Sequence, residues 1–314
     1  MIEIGGYFGL ELDEGKEYYP DLIRLNTGRN CLEYILRIRN YKKIFIPYFT
    51  CEVILEPLRK LHVNFEYYHI DEKLDPIFER VLEDKQSILV NNYFGIKNNS
   101  IRKLTGKYKN IIVDNSQAFY DLPVEGVDTF YSARKFFGVA DGGYLSIDKI
   151  LEQEFEIDES YSRMEHLLKR IDESATKGYK DFQQNNYNLI NKPIKKMSKL
   201  TQRILDSIYY GKAKMKRERN FLFLHSQLKD LNSLEIEVSD LNAPMIYPFL
   251  CKKDGLKEKL INKKIYIPTY WSSVFDCVAR DSVEYMMTKY LLPLPIDQRY
   301  GLNELREIVN NLLG

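Results

Sequence analysis

The first half of the chain alternates short β-rich runs with helix-like stretches, and this alternation limits the folds open to it. The β-rich runs are residues 42–49, 64–70, 87–94, 110–115, 128–133 and 143–147. The helix-like stretches are residues 29–40, 51–61, which Pro57 makes irregular, and 99–108. Strands and helices repeated in this way predict an α/β fold of βαβ units with a mostly parallel sheet. In such sheets, ligands bind outside the carboxyl ends of the strands.

The remainder of the chain has two further parts. From about residue 150 to 235 it is charged, poor in proline and helix-like, and it contains the Asn-rich stretch 178–193. We interpret that stretch as an excursion or a loop at an interface, or equally as an ordinary solvated loop. After residue 236, short strands are expected in "APMIYPFLCKK", "KKIYIPTYWSS" and "LLPLPID", followed by a terminal helix in "LNELREIVNNLL". We therefore predict a large domain over 1–235 and a small C-terminal α+β domain over 236–314.

Composition excludes several classes of function. The 314 residues carry a net charge of +1, whereas proteins that bind phosphate backbones usually show a basic excess. No run approaches the ~20 apolar residues of a membrane span, and no signal peptide is visible. The four cysteines form no C-x-x-C pair, and the four histidines have no zinc-like spacing. We expect a reduced, cytoplasmic protein that binds neither nucleic acid, membrane nor metal.

Three groups along the first half could carry chemistry. Lys135 lies among aromatic residues before an Asp-Gly-Gly triplet, in "FYSARKFFGVADGGYLSI", and Asp114 ends a β-rich run with Gln117 three residues later. Residues 27–30, "TGRN", precede a predicted helix, which is typical of anion sites. Each group alone has a structural interpretation: a lysine whose stem packs on aromatic rings, a turn former or a helix cap. Together, in this order, they are what pyridoxal phosphate (PLP) requires of a protein.

The same segments resemble the DegT-type family of PLP-dependent sugar aminotransferases, which have the aspartate-aminotransferase-like fold (fold type I). The family carries a strand-end D-x-x-Q/H and a lysine followed at a fixed interval by an acidic-Gly-Gly triplet; "DNSQ" and "KFFGVADGG" match both. "NTGRNCL" occupies the place of its S-G-T-x-A-L phosphate turn. "IPYFT", "NYFG" and "LPLPID" resemble its I-P-x-x-T, H-L-Y-G and L-P-L segments. The resemblance covers most of residues 20–150 and is thin over 150–285.

The resemblance implies roles for individual residues. Lys135 matches the Schiff-base lysine, which also moves the proton between the substrate carbon and C4′ of the cofactor. Asp114 matches the carboxylate paired with the pyridine nitrogen, and Gln117 matches the residue near the 3-oxygen. The phosphate turn corresponds to Thr27, Gly28 and Arg29. Histidine replaces the lysine in a subfamily that deoxygenates sugars, so the lysine favours transamination.

The chain departs from the family pattern near the cofactor. Phe130 stands where the family has a serine that helps to hold the phosphate, and Ser132 is a candidate to take over, as in other fold-type-I enzymes. Cys51 stands where an aromatic residue often stacks on the cofactor ring. The aromatic candidates for that place are Tyr93 and Phe94.

Two further departures concern the surroundings of the lysine. Arg134 is an unusual neighbour; close to the amine it would lower the pKa of Lys135, and it could equally point away. The G-x-N-x-R stretch, through which the partner subunit of the family reaches the cofactor, is not found. "QQNNYN", residues 183–188, is a candidate substitute.

The resemblance implies an enzyme that moves an amino group from an amino acid, with glutamate as the expected donor, to a keto-sugar nucleotide. The product would serve amino-sugar or surface-polysaccharide biosynthesis, and the enzyme would be a homodimer with its active site at the interface. Tyr7, Tyr270 and Trp271 are candidate substrate-pocket residues, although such residues are also common in cores and interfaces. A second hypothesis is a binding or regulatory protein on the same fold without transaminase activity. A third is an α/β protein that does not bind PLP.

Overall fold

A central sheet of eight strands organises the computed structural model, which describes residues 4–314. Its strands are β1 (Ile23–Leu25), β2 (Lys43–Pro47), β3 (Asn64–Ile70), β4 (Pro76–Ile77), β5 (Gln86–Asn91), β6 (Ile111–Asp114), β7 (Asp128–Ser132) and β8 (Gly143–Ser146). Their order across the sheet is β1-β8-β7-β6-β5-β2-β3-β4. The pairs from β3 through β2, β5 and β6 to β7 are parallel, and β8, β1 and β4 run antiparallel to their neighbours. The mostly parallel sheet predicted from the sequence is confirmed.

Ten α-helices accompany the strands in the described part of the chain. They are α1 (Gly28–Arg39), α2 (Leu55–Lys60), α3 (Asn98–Lys107), α4 (Glu165–Asp172), α5 (Tyr179–Asn188), α6 (Lys199–Asp206), α7 (Tyr210–Leu228), α8 (Leu256–Asn262), α9 (Val283–Tyr290) and α10 (Leu302–Leu313). The predicted helices at 29–40, 51–61 and 99–108 correspond to α1, α2 and α3. None of these helices, within residues 4–314, is long and apolar enough to cross a membrane.

Both faces of the sheet are buried. Successive side chains of a strand point to opposite faces, so each strand contributes to two separate clusters. In β6, Ile112 packs on one face with Leu32 and Ile35 of α1. Ile111 and Val113 pack on the other face, in a second cluster of apolar and aromatic side chains. The near-continuous apolar runs seen in the sequence follow from this two-sided burial.

The C-terminal part has its own cluster of buried apolar residues. Strands β9 (Ile246–Leu250) and β10 (Leu291–Pro295) form an antiparallel pair, and α8 and α10 pack with them. Phe221 and Leu224 of α7 lie in the same cluster, so this helix shares a core with the residues after 236. The domain boundary at 235/236 stays a prediction.

Several local predictions were wrong or incomplete. The Asn-rich stretch 178–193 is mostly helix, α5, and not a loop. No strand forms in "KKIYIPTYWSS"; this segment runs irregularly into a 3₁₀ turn at Ser272–Asp276. Strands β1 and β4 were missed, because three and two residues are too few to show a periodicity.

Candidate active site

The Asp-Gly-Gly triplet builds the frame of the site. Asp141 is fully buried. Its carboxylate accepts hydrogen bonds from the backbone N–H of Ser198 (2.8 Å), from the Ser198 hydroxyl (2.8 Å) and from the Thr201 hydroxyl. These bonds hold the N-terminus of α6. The acidic residue of the triplet is therefore a structural anchor of this helix.

The two glycines bring the start of α1 against the sheet. A Cβ on Gly143 would lie 2.7 Å from the carbonyl carbon of Thr27, so only glycine fits there. Gly142, at φ +118°, donates its N–H to the carbonyl of Asn26 (2.7 Å), and its own carbonyl accepts from Ala133 N–H (3.1 Å). The triplet thus ties the turn before α1 to the loop that carries Lys135.

One cavity collects the central residues of the sequence-based prediction. Its lining contains Asp114, Gln117 and Lys135, and it encloses about 230 Å³ of space that includes open solvent. The other lining residues are Thr50, Cys51, Asn91 and Trp271. Asn91 and Asp114 end the adjacent parallel strands β5 and β6 and are register partners. The cavity therefore lies at the carboxyl edge of the sheet, where ligands of α/β proteins bind.

Asp114 keeps most of its carboxylate free for a ligand. Oδ1 accepts the backbone N–H of Ser116 at 2.7 Å, and no cation within residues 4–314 forms an ion pair with it. Gln117 is buried, and its Oε1 accepts the backbone N–H of Phe94 at 3.1 Å. This bond turns the side-chain carbonyl of Gln117 toward the backbone of Phe94.

Lys135 is the exposed end of an otherwise buried segment. It lies in a 3₁₀ turn, Ala133–Lys135, directly after β7. The next two residues, Phe136 and Phe137, are buried against Phe119, with ring centroids 5.6 Å and 4.9 Å away. The aromatic neighbours seen in the sequence therefore anchor the turn in the core, while the lysine itself is exposed and faces the cavity.

The turn before α1 leaves backbone donors free. Thr27 caps the helix by accepting the N–H of Asn30 at 3.1 Å, and the Arg29 guanidinium pairs with Glu56 at 2.5 Å. The Arg29 guanidinium is engaged, so this turn offers an anion the N–H groups of Gly28 and Arg29 and the O–H of Thr27, which accepts but does not donate in the cap.

Ser116, which sequence reasoning missed, lies beside this turn. A Cβ on Gly28 would be 3.5 Å from Ser116 Oγ and 3.7 Å from Cδ2 of Phe130. Phe130 fills the place of the family's serine and is buried under α1. Ser116 is 6% exposed, and its hydroxyl has no hydrogen-bond partner among the described residues. Its position two residues after Asp114 was the only signal in the sequence.

Asn91 and Thr50 were also missed. Asn91 Nδ2 donates to Thr50 Oγ1 at 2.9 Å, and its buried Oδ1 has no partner within residues 4–314. Because this unsatisfied atom belongs to a residue of the cavity lining, Asn91 is a candidate ligand contact. Asn91 could have been noticed as the last residue of the run "SILVNN".

Of the remaining predicted site residues, all except Trp271 lie apart from the cavity lining. Ser132 ends β7, and Tyr270 stacks against Phe94 at 5.8 Å. Tyr93 is buried, with its hydroxyl donating to the carbonyl of Phe49 (2.7 Å), and Tyr7 is exposed in the N-terminal segment. Trp271 does line the cavity. The assigned roles of all these residues stay predictions.

Arg134 extends toward α5. It donates to Asn186 Oδ1 at 2.6 Å, while the adjacent Asn185 is buried and donates to the carbonyl of Ala140 at 3.0 Å. Burial lowers the pKa of Arg134 to about 10, and the positive charge of Arg29 adds to the shift. Residues 183–188 therefore support the Lys135 loop of their own chain.

Solved structures share this architecture. Sugar aminotransferase CalS13 from Micromonospora echinospora superposes with a TM-score of 0.65 at 14% identity, covering 93% of this chain and 86% of that one. This is the fold of the sugar aminotransferases. A DegT DnrJ EryC1 StrS aminotransferase from Brucella abortus gives a TM-score of 0.59 at 17% identity, with coverages of 93% and 84%.

The same fold also carries a different reaction. The E. coli GDP-4-keto-6-deoxy-D-mannose-3-dehydratase, whose structure contains hydrated PLP, matches with a TM-score of 0.64 at 14% identity, with coverages of 93% and 87%. No family model and no curated protein matches the sequence. The comparisons thus establish a fold-type-I architecture, which enzymes of different activity share.

Proposed function

We propose that this protein is a PLP-dependent aminotransferase. The observation that carries the proposal is the single cavity at the carboxyl edge of the sheet that contains Lys135, Asp114 and Gln117. Residues separated by up to 21 positions in the chain meet there in the combination that PLP chemistry needs. The sugar aminotransferases and the PLP-containing dehydratase of the same fold support the assignment.

The cavity residues fit PLP. Neither Asp114 nor Lys135 has an ion-pair partner in the described chain, and Asn91 presents an unsatisfied amide oxygen. Exchanging the two ends of the Asn91 amide would let it donate to a ring oxygen. The carboxylate of Asp114 would pair with the protonated ring nitrogen, and the amine of Lys135, in its neutral form, would take the aldehyde.

Each residue has a defined task in this proposal. Lys135 supplies the amine to which the cofactor is attached, and once released it carries the proton of the substrate carbon. Asp114 holds a proton on the pyridine nitrogen, so that PLP can act as an electron sink. Gln117 and Asn91 contact the ring substituents. The N–H groups of Gly28 and Arg29 would hold the phosphate, together with the hydroxyls of Thr27, Ser116 and Ser132.

The proposed substrates are an amino-acid donor, glutamate, and a keto-sugar nucleotide acceptor. Support comes from the sugar aminotransferases among the proteins of similar structure. The product would enter amino-sugar or surface-polysaccharide biosynthesis. The four free cysteines are compatible with the reduced cytoplasmic compartment predicted from the sequence.

We further propose a homodimer with the active site at the interface. Two segments expose large apolar side chains that a monomer would leave in water. In the N-terminal segment these are Ile4, Tyr7 and Phe8, each at least 95% exposed. Around α4 and α5, the exposed side chains are Tyr161, Ile171 and Tyr187. Light scattering should give twice the mass of the chain, and a monomer would contradict the proposal.

Reduction of the PLP complex tests the function directly. The purified protein mixed with PLP should show a visible band, and borohydride followed by peptide mass mapping should place a phosphopyridoxyl group on Lys135. Glutamate added before reduction should shift the band and prevent labelling. The absence of a label, or a label only on other lysines, would overturn the PLP assignment.

A binding or regulatory protein on this fold is the second candidate. Phe130 favours it, because a buried phenyl ring replaces a phosphate-binding hydroxyl of the family. The same experiment separates the two functions. Labelling of Lys135 that persists with every amino donor tested would favour binding without transamination.

A further inference from the structure

The cavity has a single aromatic wall. Among its lining residues in the described chain, Thr50, Asn91, Asp114, Gln117 and Lys135 are polar, and Cys51 is small. Trp271 is the one aromatic residue of the lining. A planar pyridine ring held by polar groups at its edge still needs an apolar surface for its face.

Trp271 is held in place by other aromatic rings. Its ring centroid lies 4.9 Å from that of Phe49, which is fully buried just beyond β2. Its neighbour Tyr270 stacks on the buried Phe94 at 5.8 Å and 18° between planes. The indole therefore does not have to be ordered when a ligand arrives, which lowers the entropic cost of binding.

The segment that carries Trp271 is also fixed to the central sheet. Glu284, in the following helix α9, is 1% exposed and accepts the backbone N–H of Ile70 at 2.8 Å. The same oxygen lies 3.0 Å from Nδ1 of His69. This contact ties the C-terminal segment to β3, two strands from β5 in the sheet.

The other aromatic candidates cannot take this place. Tyr93 is 2% exposed and its hydroxyl is bonded to the carbonyl of Phe49, and Phe94 is fully buried against Tyr270. Neither ring lines the cavity.

We propose that Trp271 is the residue that stacks on the ring of the bound cofactor, an inference that rests on the PLP function proposed above. Trp271 is thereby a cofactor-binding residue contributed by the C-terminal part of the chain, and a wall of the substrate pocket only secondarily. The sequence placed it among the substrate contacts.

The test compares the PLP affinity of four proteins by titration of the visible band: wild type, Trp271→Leu, Trp271→Phe and Phe275→Leu. Phe275 lies in the same segment, packs on Tyr285 at 4.9 Å and does not line the cavity, so it is the matched control. We expect Trp271→Leu to weaken binding roughly 2- to 12-fold, the effect of one aromatic pair. Trp271→Phe should stay within about 2-fold of wild type, because a ring is kept.

Two results would overturn the inference. One is a Trp271→Leu affinity equal to that of wild type; the other is an equal loss in Phe275→Leu, which would indicate a general loosening of the segment. Urea unfolding of each apo variant identifies misfolding. If Trp271→Leu misfolds, the fluorescence of Trp271 in wild type decides: PLP should quench it, and unchanged fluorescence in the PLP complex would overturn the inference.

Failure of the inference is distinguishable from failure of the function. If borohydride fixes PLP on Lys135 in wild type and in Trp271→Leu, and the two proteins bind PLP with the same affinity, the PLP function stands and the stacking role falls. If wild type is not labelled at Lys135, the PLP function itself falls. The chain has a single tryptophan, so quenching of its fluorescence by PLP reports on Trp271 alone.

Discussion

Two polar regions flank the Lys135 loop, and they differ in how completely their polar atoms are paired. On one side, Arg217 of α7 is 1% exposed, and all three nitrogens of its guanidinium donate hydrogen bonds. It donates to Gln298 Oε1 (2.9 Å) and to the carbonyls of Pro244 (3.1 Å), Met245 (3.2 Å) and Phe136 (3.4 Å). Its guanidinium also lies over the Phe136 ring at 4.5 Å.

On the other side, the cavity leaves several of its polar atoms without a partner. The charges of Asp114 and Lys135 have no ion-pair partners within residues 4–314, and Asn91 Oδ1 has no hydrogen bond. A buried group with all its partners stabilises a fold, whereas unpaired groups in a cavity await a ligand. The difference separates a structural region from a functional one, and the two meet at the adjacent residues Lys135 and Phe136.

The largest expected effect concerns Lys135→Met. The visible band and the borohydride label should disappear completely, because the amine is lost. The free energy of unfolding should change by less than about 0.5 kcal/mol, since the side chain is exposed and unpaired. Lys149→Met, another exposed lysine, is the control and should keep full labelling. A large loss of stability in Lys135→Met would place the lysine on the structural side of the comparison.

Arg217→Met should have the opposite profile. It removes four hydrogen bonds and leaves buried carbonyls unpaired, so we expect the free energy of unfolding to fall by about 3 kcal/mol. Urea unfolding of the apo protein measures this loss. Arg219→Met, an exposed position on the same helix, should change stability by less than about 0.5 kcal/mol. Equal stabilities of the two variants would contradict the structural role of the Arg217 network.

Ser116→Ala sharpens the comparison within the cavity region. Loss of one hydrogen bond to a charged phosphate should weaken PLP binding roughly 10- to 100-fold. Binding of pyridoxal, which lacks the phosphate, should not change. Ser132→Ala is the informative partner variant, because the sequence assigned the phosphate hydroxyl to Ser132. An effect of Ser132→Ala alone would restore that assignment.

Asp121 should have a smaller effect on the free energy of unfolding, and this effect depends on pH. Burial raises the pKa of its carboxyl from 3.8 to about 6, nearby Asp240 adds to the shift, and Arg102 opposes it. The folded state therefore binds the proton more tightly than the unfolded state. Ionisation of Asp121 costs stability as pH rises through about 6, and this cost is absent below pH 3.8.

Asp121→Asn should remove that cost. We expect the variant to exceed wild type by about 1 to 3 kcal/mol in free energy of unfolding at a pH of about 8, with the difference vanishing near a pH of about 4. Urea unfolding across this pH range measures it, with Glu125→Gln at an exposed position as the control. A difference that stays constant with pH would show that Asp121 is not the titrating group.

The sequence by itself determined the sheet and the centre of the site. Apolar strand runs separated by amphipathic helices permit few arrangements other than a parallel sheet covered on both faces. The carboxyl ends of parallel strands share one edge, so Asp114 at the end of β6 and Lys135 just after β7 had to lie near each other. The succession of strands, helices and strand-end residues along the chain was enough for these predictions.

Tertiary structure alone decided the surroundings of that centre. Trp271 reaches the cavity from 136 positions beyond Lys135, and Ser116 meets Gly28 across the sheet edge. The Asn-rich stretch forms α5, and its Asn185 and Asn186 bond to Ala140 and Arg134 on either side of Lys135. Such contacts join residues far apart in sequence, and side-chain packing in three dimensions selects them, so no local pattern could reveal them.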